Sequence, residues 1–307
     1  MTLSSLLALH ANTRRPANNA PMSPAVATAA RADWPAACAL LARHLPPPRD
    51  LVRADHLVQM LVAGEIDPAG LRVVRRGQTV VGAMLTQLTP GNAASVWPPA
   101  GDGADTLTAD AVARLRSAGV THAQCLLDAL EGADPSPLVR AGFRRVTALH
   151  FYRRSGTPPP PADDRLQVMP FAAAGAKLAI DTILATYAGS LDCPELDGVR
   201  TADDVRAGYT TAFDGSAGWL ACLDAQPVGV GILLPDSHGV ELAYLGLIPE
   251  ARGRGLGVAL LKQALSRAGG ADVRLSVDAR NTPARRLYER AGFEPTVRRD
   301  VYLWFAK

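Results

Sequence analysis

Apolar residues in the second half of the chain recur at two different periods, and each period predicts one type of secondary structure. Between residues 257 and 268, apolar positions repeat every three or four residues, which predicts a helix with one buried face. Short, nearly continuous apolar runs predict buried strands, so the second half is predicted to be mixed α/β. The predicted strands cover 166–169, 219–223, 228–234, 240–248, 273–277 and 301–305, and the other predicted helices cover 172–187, 202–213 and 283–291.

The first half shows a weaker form of the same pattern, with strands predicted at 71–74 and 79–85 and a helix at 108–118. Its Leu-Asp-Ala sequence around Asp128 corresponds to Val-Asp-Ala around Asp278, and its Arg-Ala-Gly-Phe sequence recurs unchanged further along the chain. The separation is 150 residues in both cases, without gaps. This agreement predicts a duplicated domain.

Prolines mark the boundary between the two halves. Four consecutive prolines lie within the sequence Ser-Gly-Thr-Pro-Pro-Pro-Pro-Ala-Asp-Asp, where neither a helix nor a central strand can continue. We therefore predict a semi-rigid linker at residues 155–165, between one domain at 25–154 and another at 166–307. Residues 1–24 are rich in Ala, Asn, Pro and Ser, and this composition predicts a disordered segment.

Composition and charge exclude several functional classes. With 48% hydrophobic and 20% charged residues, the chain resembles a soluble globular protein, and no apolar run approaches the roughly 18 residues of a membrane span. A formal net charge of +3 does not indicate a nucleic-acid or membrane partner. The four cysteines form no C-x-x-C pair and have no histidine at zinc-finger spacing, which predicts no metal site. With a poor signal-peptide pattern at the N-terminus, this cysteine usage predicts a cytoplasmic location.

The main candidate for a ligand site is a glycine-rich loop between a predicted strand and a predicted helix. Its sequence is Arg252-Gly253-Arg254-Gly255-Leu256-Gly257. Unpaired backbone N–H groups and the helix dipole favour an anion at such a junction, glycines allow its close approach, and the arginines add positive charge. The loop therefore predicts a pyrophosphate site. Taken alone, the same six residues also fit a glycine-rich turn with solvated arginines.

The sequence around this loop resembles the GNAT acetyltransferase superfamily over about residues 166–307. The family's first signature is a strand, then Arg or Gln, two residues, Gly, one residue, and Gly or Ala, then a helix. Its second signature is matched by the segment from Asn281 to Phe293. The resemblance implies an α/β (α+β) fold of two tandem GNAT-like domains, each a mixed, mostly antiparallel sheet flanked by helices. It also implies acetyl-CoA as cosubstrate.

The same resemblance implies roles for individual residues around the loop. The backbone of Leu245 and Leu247 would pair with the pantetheine arm of the cofactor, and a bulge near Gly246 would open the slot for that arm. Backbone N–H groups of Arg252, Gly253, Arg254, Gly255, Leu256 and Gly257 would bind the pyrophosphate. Asn281 would hold the cofactor or order the start of the next helix.

Acyl transfer to an amine needs a base and an acid, since the amine must lose a proton and the departing thiolate must gain one. Tyr288 is the candidate acid, because the resemblance implies a tyrosine near the thioester sulfur at this place; the alternative is a packing tyrosine. Glu241 is the candidate base, directly or through water. It lies in an otherwise apolar strand, where burial would raise the pKa of its carboxyl. The alternative is an exposed glutamate at a strand start.

The sequence contains few indications of which acceptor the protein uses. In the family, the loop between the first two helices of the domain lines the acceptor site. Acidic and aromatic residues in and near this loop suit a cationic amine, although a solvated acidic loop fits them equally well. The candidate acceptor residues are Tyr187, Asp192, Glu195, Tyr209 and Tyr244.

The first half lacks the residues that carry this chemistry. At the constant separation, Tyr288 corresponds to Leu138, Glu241 to Gly91, and the glycine-rich loop to residues 102–107. No Lys, Arg or His occurs between residues 77 and 113, so a pyrophosphate site there would have no side-chain cation. We therefore predict a degenerate GNAT-like domain that packs against, orients or covers the active one. This tandem arrangement resembles that of mycothiol synthase-like acetyltransferases.

The sequence as a whole thus predicts an N-acetyltransferase that moves an acetyl group from acetyl-CoA to a small-molecule or peptide amine. It would act as a monomer or weak homodimer. Two alternatives remain open: a non-catalytic acyl-CoA-binding regulator that keeps the loop without needing Tyr288, and a transferase for a longer acyl chain.

Overall fold

The computed structural model describes residues 25–43, 49–128, 132–156, 158, 161, 163–213, 217–236 and 239–306. The predicted disordered segment at 1–24 and part of the predicted linker at 155–165 lie outside the described residues. Among the described residues, no helix is long and apolar enough to cross a membrane.

The first half forms seven strands and four helices within the described residues. The strands are β1 (Val26–Thr28), β2 (Leu71–Arg76), β3 (Thr79–Thr89), β4 (Ala93–Val96), β5 (Ala100–Gly101), β6 (His122–Asp128) and β7 (Arg144–Arg154). The helices are α1 (Trp34–Ala42), α2 (Arg49–Ala63), α3 (Ala104–Ser117) and α4 (Ser136–Arg140).

The second half forms six strands and six helices within the described residues. The strands are β8 (Gln167–Pro170), β9 (Gly218–Leu223), β10 (Gln226–Asp236), β11 (Gly239–Leu247), β12 (Val273–Asp278) and β13 (Glu294–Phe305). The helices are α5 (Phe171–Ala174), α6 (Ala176–Tyr187), α7 (Ala202–Gly208), α8 (Thr210–Phe213), α9 (Leu256–Arg267) and α10 (Thr282–Arg290).

The strands of both halves join in one mixed sheet, in the order β1-β2-β3-β4-β6-β13-β7-β12-β11-β10-β9-β8, with β5 paired to β3. Only β4 with β6 and β11 with β12 pair in parallel among these strands, so the predicted mixed, mostly antiparallel sheet is confirmed. The last strand of each half lies beside the other half: β13 pairs with β6, and β7 pairs with β12.

The strand pairing also repeats between the two halves, at the same separation as the sequence repeat. Tyr302 lies opposite Cys125, and Tyr152 lies opposite Leu275, so the two pairings are related by 150 residues. Each tyrosine is buried in the core of the other half. Because burying a large side chain contributes about 1.5–3 kcal/mol, the exchanged strands bind the halves to each other rather than only linking them.

Three predicted elements of the second half differ most from their predicted limits. The helix predicted at 172–187 is interrupted at Gly175, whose φ of +81° starts a new helix, and the one predicted at 202–213 is interrupted at Tyr209. The last strand begins at Glu294 rather than at 301, because β7 pairs with it from Glu294 and β6 joins on the other side from Arg299. The start of this strand depends on tertiary pairing, which local periodicity does not contain.

Candidate functional site

The site begins where two parallel strands separate. β11 and β12 pair only at Val240 with Val273 and at Glu241 with Arg274, and beyond those positions they diverge. The register of β11 against β10 shifts between Leu242 and Tyr244. The predicted bulge near Gly246 is therefore wrong in position. The extra residue lies three positions earlier, where the strand must bend away from β12 to open the gap.

A cavity of about 830 Å³ extends from this gap between α9 and α10. Of the predicted cofactor residues, Arg254 is exposed and Leu256 is buried in the core, and neither lines the cavity. The remaining predicted cofactor residues and the candidate acid all line it: Leu245, Leu247, Arg252, Gly253, Gly255, Gly257, Asn281 and Tyr288.

Two loop glycines have backbone conformations that other residues rarely adopt. Gly253 has φ +73° and Gly255 has φ +75°, and Gly255 immediately precedes the first residue of α9. A Cβ atom at Gly253 would meet nothing within 4 Å. The loop is thus left-handed at two positions and presents open backbone to the cavity. The first turn of α9 adds N–H groups that have no acceptor within the helix.

Arg252 holds the loop in place instead of reaching freely into the cavity. Its Nε donates to the carbonyl of Leu247 at 3.1 Å, and its two terminal nitrogens donate to the carbonyls of Gly189 at 3.0 Å and Thr186 at 2.9 Å. Its own N–H donates to the Pro249 carbonyl. Cofactor contact through the Arg252 amide stays a prediction that this pairing does not favour. The guanidinium adds positive charge while it joins the end of α6 to the loop.

Four further cations line the cavity, and the sequence reasoning missed them: Arg154, Lys262, Arg286 and Arg290. The spacing of Arg286 and Arg290 on one helix face was visible in the sequence. Arg154 was not, because it belongs to β7 of the first half and reaches the cavity only through strand exchange. Its Nε donates to the carbonyl of Ala291 at 3.1 Å.

Asn281 and Tyr288 lie at the two ends of α10. The side chain of Asn281 accepts the N–H of Ala284 at 3.2 Å, so Asn281 caps the helix while it lines the cavity. Tyr288 is only 7% exposed, and its ring meets the ring of Phe293 edge-on at 5.7 Å. Burial, and then the negative charge of Asp192, raise the pKa of the Tyr288 hydroxyl. This hydroxyl therefore stays protonated at neutral pH.

Glu241 lies outside this cavity. It occupies the last position where β11 and β12 still pair, and its side chain is exposed. The expected burial of its carboxylate is therefore wrong, because β11 presents this position to solvent. A base role for Glu241 stays a prediction, and it would need water to carry the proton.

A second cavity, of about 90 Å³, contains four of the five predicted acceptor residues: Tyr187, Asp192, Tyr209 and Tyr244. The ring of Tyr244 lies 5.6 Å from that of Tyr187 and 6.1 Å from that of Tyr209, and its hydroxyl is 2.7 Å from Thr186 Oγ1. Arg200 also lines this cavity. The acidic loop thus closes over an aromatic cluster.

Glu195, the fifth predicted acceptor residue, does not line this cavity. Its carboxylate forms two hydrogen bonds with Arg280, at 2.7 and 2.8 Å. Arg280 in turn donates to Asp278, whose carboxylate has no exposed surface. Asp278 also accepts the Thr147 hydroxyl and the Cys193 N–H, while its own N–H donates to Asp192 at 2.7 Å. This network fixes the acidic loop to the end of β12.

The carboxylate of Asp192 is held at the edge of the small cavity by that bond from Asp278. Although Asp192 is exposed at the surface, its carboxylate oxygen points into the protein. Desolvation of this carboxylate, and then the negative charge of Asp278, raise the pKa of the Asp192 carboxyl. Asp192 therefore lines the cavity with the aromatic cluster, and its negative charge acts on the hydroxyl of Tyr288.

The first half lacks the loop that borders the large cavity. Residues 97–103, which include β5, connect β4 to α3, whereas residues 248–255 connect β11 to α9. Residues 104–107, which the constant separation aligned with the loop, lie in α3. The counterpart of Glu241 is also corrected by the strand register: Ser95, not Gly91, occupies its place beside β6. The chain from Ser95 to the start of α3 is six residues shorter than the chain from Glu241 to the start of α9, and the degeneracy of the first domain stays a prediction.

Comparison with known proteins is consistent with this geometry. Residues 186–293 match the Acetyltransferase (GNAT) family. A mycothiol acetyltransferase of Beutenbergia cavernae is 42% identical over 105 residues, which is 32% of this chain and 35% of the relative. One of Actinosynnema mirum is 31% identical over 163 residues, 50% of this chain and 54% of the relative. The chain thus matches about a third to a half of the length of these relatives.

Solved structures share the fold over nearly the whole chain. A GCN5-related N-acetyltransferase from Sphaerobacter thermophilus has a TM-score of 0.63 at 18% identity, covering 93% of this chain and 96% of that one. A tandem GNAT protein from the clavulanic acid biosynthesis pathway has a TM-score of 0.50 at 19% identity, covering 90% and 95%. These structures show the fold, while the match of residues 186–293 to the GNAT family and the mycothiol acetyltransferases found as relatives identify what the second half of the chain is similar to.

Proposed function

We propose that this protein transfers an acetyl group from acetyl-CoA to the amine of a small-molecule or peptide acceptor. The observation that carries the proposal is that the strand gap, the glycine loop and the buried Tyr288 border one cavity. On sequence grounds, we further propose that it works in the cytoplasm as a monomer or weak homodimer.

The cavity has the chemistry that an acyl-CoA requires. Left-handed Gly253 and Gly255 and the amides at the start of α9 suit a pyrophosphate, and the surrounding cations suit the phosphates as a whole. Where β11 has left β12, Leu245 and Leu247 line the cavity, and their backbone would pair with the pantetheine arm, although the Leu247 carbonyl already accepts a hydrogen bond from Arg252 Nε. When bound there, the cofactor supplies an activated acetyl thioester.

The residues around the gap suit the two proton movements. The acceptor nitrogen forms a bond to the acetyl carbon as the carbon–sulfur bond breaks. Tyr288 keeps its proton at neutral pH and can give it to the departing sulfur. Asp192 lines the acceptor cavity and can take the proton that the amine must lose. Glu241 would serve as base only through a chain of water molecules.

The decisive experiment measures free thiol released from acetyl-CoA in the presence of a panel of amines. The panel includes the acceptor of mycothiol acetyltransferases, since two relatives carry that name. An acetyltransferase releases thiol only with certain acceptors, and Tyr288→Phe should reduce turnover about 100-fold without weakening cofactor binding. Tight cofactor binding with no release on any acceptor would favour the regulator instead. Faster release from longer CoA esters would favour the longer acyl chain.

A further inference from the structure

The small cavity is lined by an arginine for which no ion pair is found among the described residues. Arg200 lines this cavity, and its guanidinium lies 5.2 Å from the centre of the Tyr187 ring. Its Nε is buried and has no hydrogen-bond partner. No ion pair found among the described residues includes Arg200.

Asp197 also lines this cavity but is exposed at the surface, and two further carboxylates, of Asp204 and Glu195, are bonded elsewhere. Asp204 accepts the N–H and the hydroxyl of Thr201 and the amide of Asn92. Glu195 is held by Arg280. A partly buried guanidinium without an anion is costly, and its planar fork matches a carboxylate in a two-point contact. The cavity therefore offers a ready position for an anionic group of a ligand.

Asp192, whose carboxylate carries the opposite charge, lines the same cavity. The negative charge of Asp192 acts on the hydroxyls of Tyr288 and Tyr244, and the positive charge of Arg200 acts on the hydroxyl of Tyr244. The volume of about 90 Å³ equals roughly three water molecules, so only a compact headgroup fits. The three tyrosines in the lining favour the ammonium and its carbon skeleton.

We propose that the acceptor is an amine that also carries a carboxylate, as in an α-amino acid, with its amine at Asp192 and its carboxylate on Arg200. This inference rests on the proposed acetyl transfer and adds the class of acceptor. The amine would then be held by the carboxylate whose charge acts on Tyr288, while Arg200 would set the orientation of the acceptor through its carboxylate.

The test compares matched acceptors that differ only in charge: α-amino acids and the corresponding α-amino carboxamides. In the wild-type protein, kcat/KM should be at least about tenfold higher for the amino acid. In Arg200→Gln the preference should fall to within about twofold, because the amide side chain lacks the charge and the fork. Arg206→Gln removes an exposed arginine of α7 and should keep the wild-type preference.

Acetyl-CoA affinity, measured separately by calorimetry, should be the same in all three proteins. An equal preference for both acceptors in the wild type, or an unchanged preference in Arg200→Gln, overturns the inference while leaving acetyl transfer intact. If none of the acceptors causes release of thiol from acetyl-CoA, the proposed function is contradicted instead. In that case, tighter binding of an N-acetyl amino acid than of its amide would still support the Arg200 site, and equal binding would reject it.

If Arg200→Gln does not fold, the same comparison of acceptors is made with Arg200→Lys. Lysine keeps the charge but not the two-point contact, so the preference should fall several-fold without disappearing. An unchanged preference in this variant would reject the two-point contact with the carboxylate.

Discussion

Asp278 connects three parts of the molecule through one buried carboxylate. It accepts hydrogen bonds from Thr147 of β7, from the Cys193 N–H of the acidic loop and from Arg280. Although burial favours the neutral acid, the hydrogen bonds from Arg280 and Thr147 lower the pKa of Asp278. The charged form is therefore the one that stabilises the fold.

We expect Asp278→Asn to reduce the free energy of unfolding by about 2 kcal/mol at neutral pH, because charge-assisted hydrogen bonds are lost. Since the folded pKa is lowered, the stabilisation is complete above the ordinary value of 3.8 and is lost as pH falls below it. Urea unfolding from pH 7 down to pH 3 checks both parts. The exposed Asp181→Asn should change stability by less than about 0.5 kcal/mol. Equal stability of the two variants would contradict the structural role of Asp278.

Asp192 gives a prediction about pH dependence. Desolvation raises the pKa of its carboxyl, so as a base it becomes active only when pH rises above that raised value. We expect kcat/KM of the wild type to increase as pH rises from acidic towards neutral values. In Asp192→Asn, kcat/KM should be about 100-fold lower and should no longer increase with pH over this range. Glu241→Gln is the matched control and should keep the profile. If Glu241→Gln loses the pH dependence of kcat/KM while Asp192→Asn keeps it, Glu241 is the base.

At the scale of elements, the glycine loop and α9 act as one unit. Gly253 and Gly255 need positive φ angles, so substitutions there would disturb the fold as well as the cavity. Gly257 differs: it lies within the first turn of α9, and a Cβ there would meet Leu287 at an ordinary 3.6 Å. This position separates cofactor binding from folding.

We expect Gly257→Ala to weaken acetyl-CoA binding about tenfold or more, because the added methyl group enters the cavity beside the first-turn amides. Thermal stability should be unchanged or slightly higher, since alanine favours a helix over glycine by about 1 kcal/mol. Calorimetry with acetyl-CoA and thermal melting check the two parts. Gly208→Ala at the end of α7, with its nearest neighbour at 4.0 Å, should leave binding unchanged. If both variants bind alike, the loop assignment is wrong.

At the scale of the whole molecule, the exchanged strands make each half depend on the other. β7 covers the edge of β12 and places Tyr152 in the core of the second half. It also supplies Arg154 to the large cavity. The first half therefore contributes structure to the site even though its own loop is missing.

We expect residues 156–307 expressed alone to fold poorly and to bind acetyl-CoA weakly, because β12 would have an open edge and the core would lack Tyr152. Co-expression with residues 25–155 should restore a stable complex. Size-exclusion chromatography and cofactor calorimetry check this. A monomeric fragment 156–307 with cooperative unfolding and full cofactor affinity would show that the exchange is dispensable.

Several parts of this protein followed from the sequence alone because their causes are local. Helical and strand periodicity predicted most elements of the second half to within one or two residues, as for α9 and β12. The loop between a strand and a helix was visible because glycines and arginines are adjacent in the chain. The repeat was visible because the duplicated segments have kept several identical residues at a constant separation along the chain.

The tertiary structure decided what depends on residues far apart in sequence. Exchange of β7 and β13, the contribution of Arg154, and the position of Arg200 beside Tyr187 all arise from contacts that no local pattern contains. The place of Glu241 was also decided there, since an apolar run predicts a strand but not which strand edge solvent reaches. The sequence thus determined the elements and the chemistry of the loop, because these depend on neighbouring residues. Only long-range pairing decided which side chains share a cavity.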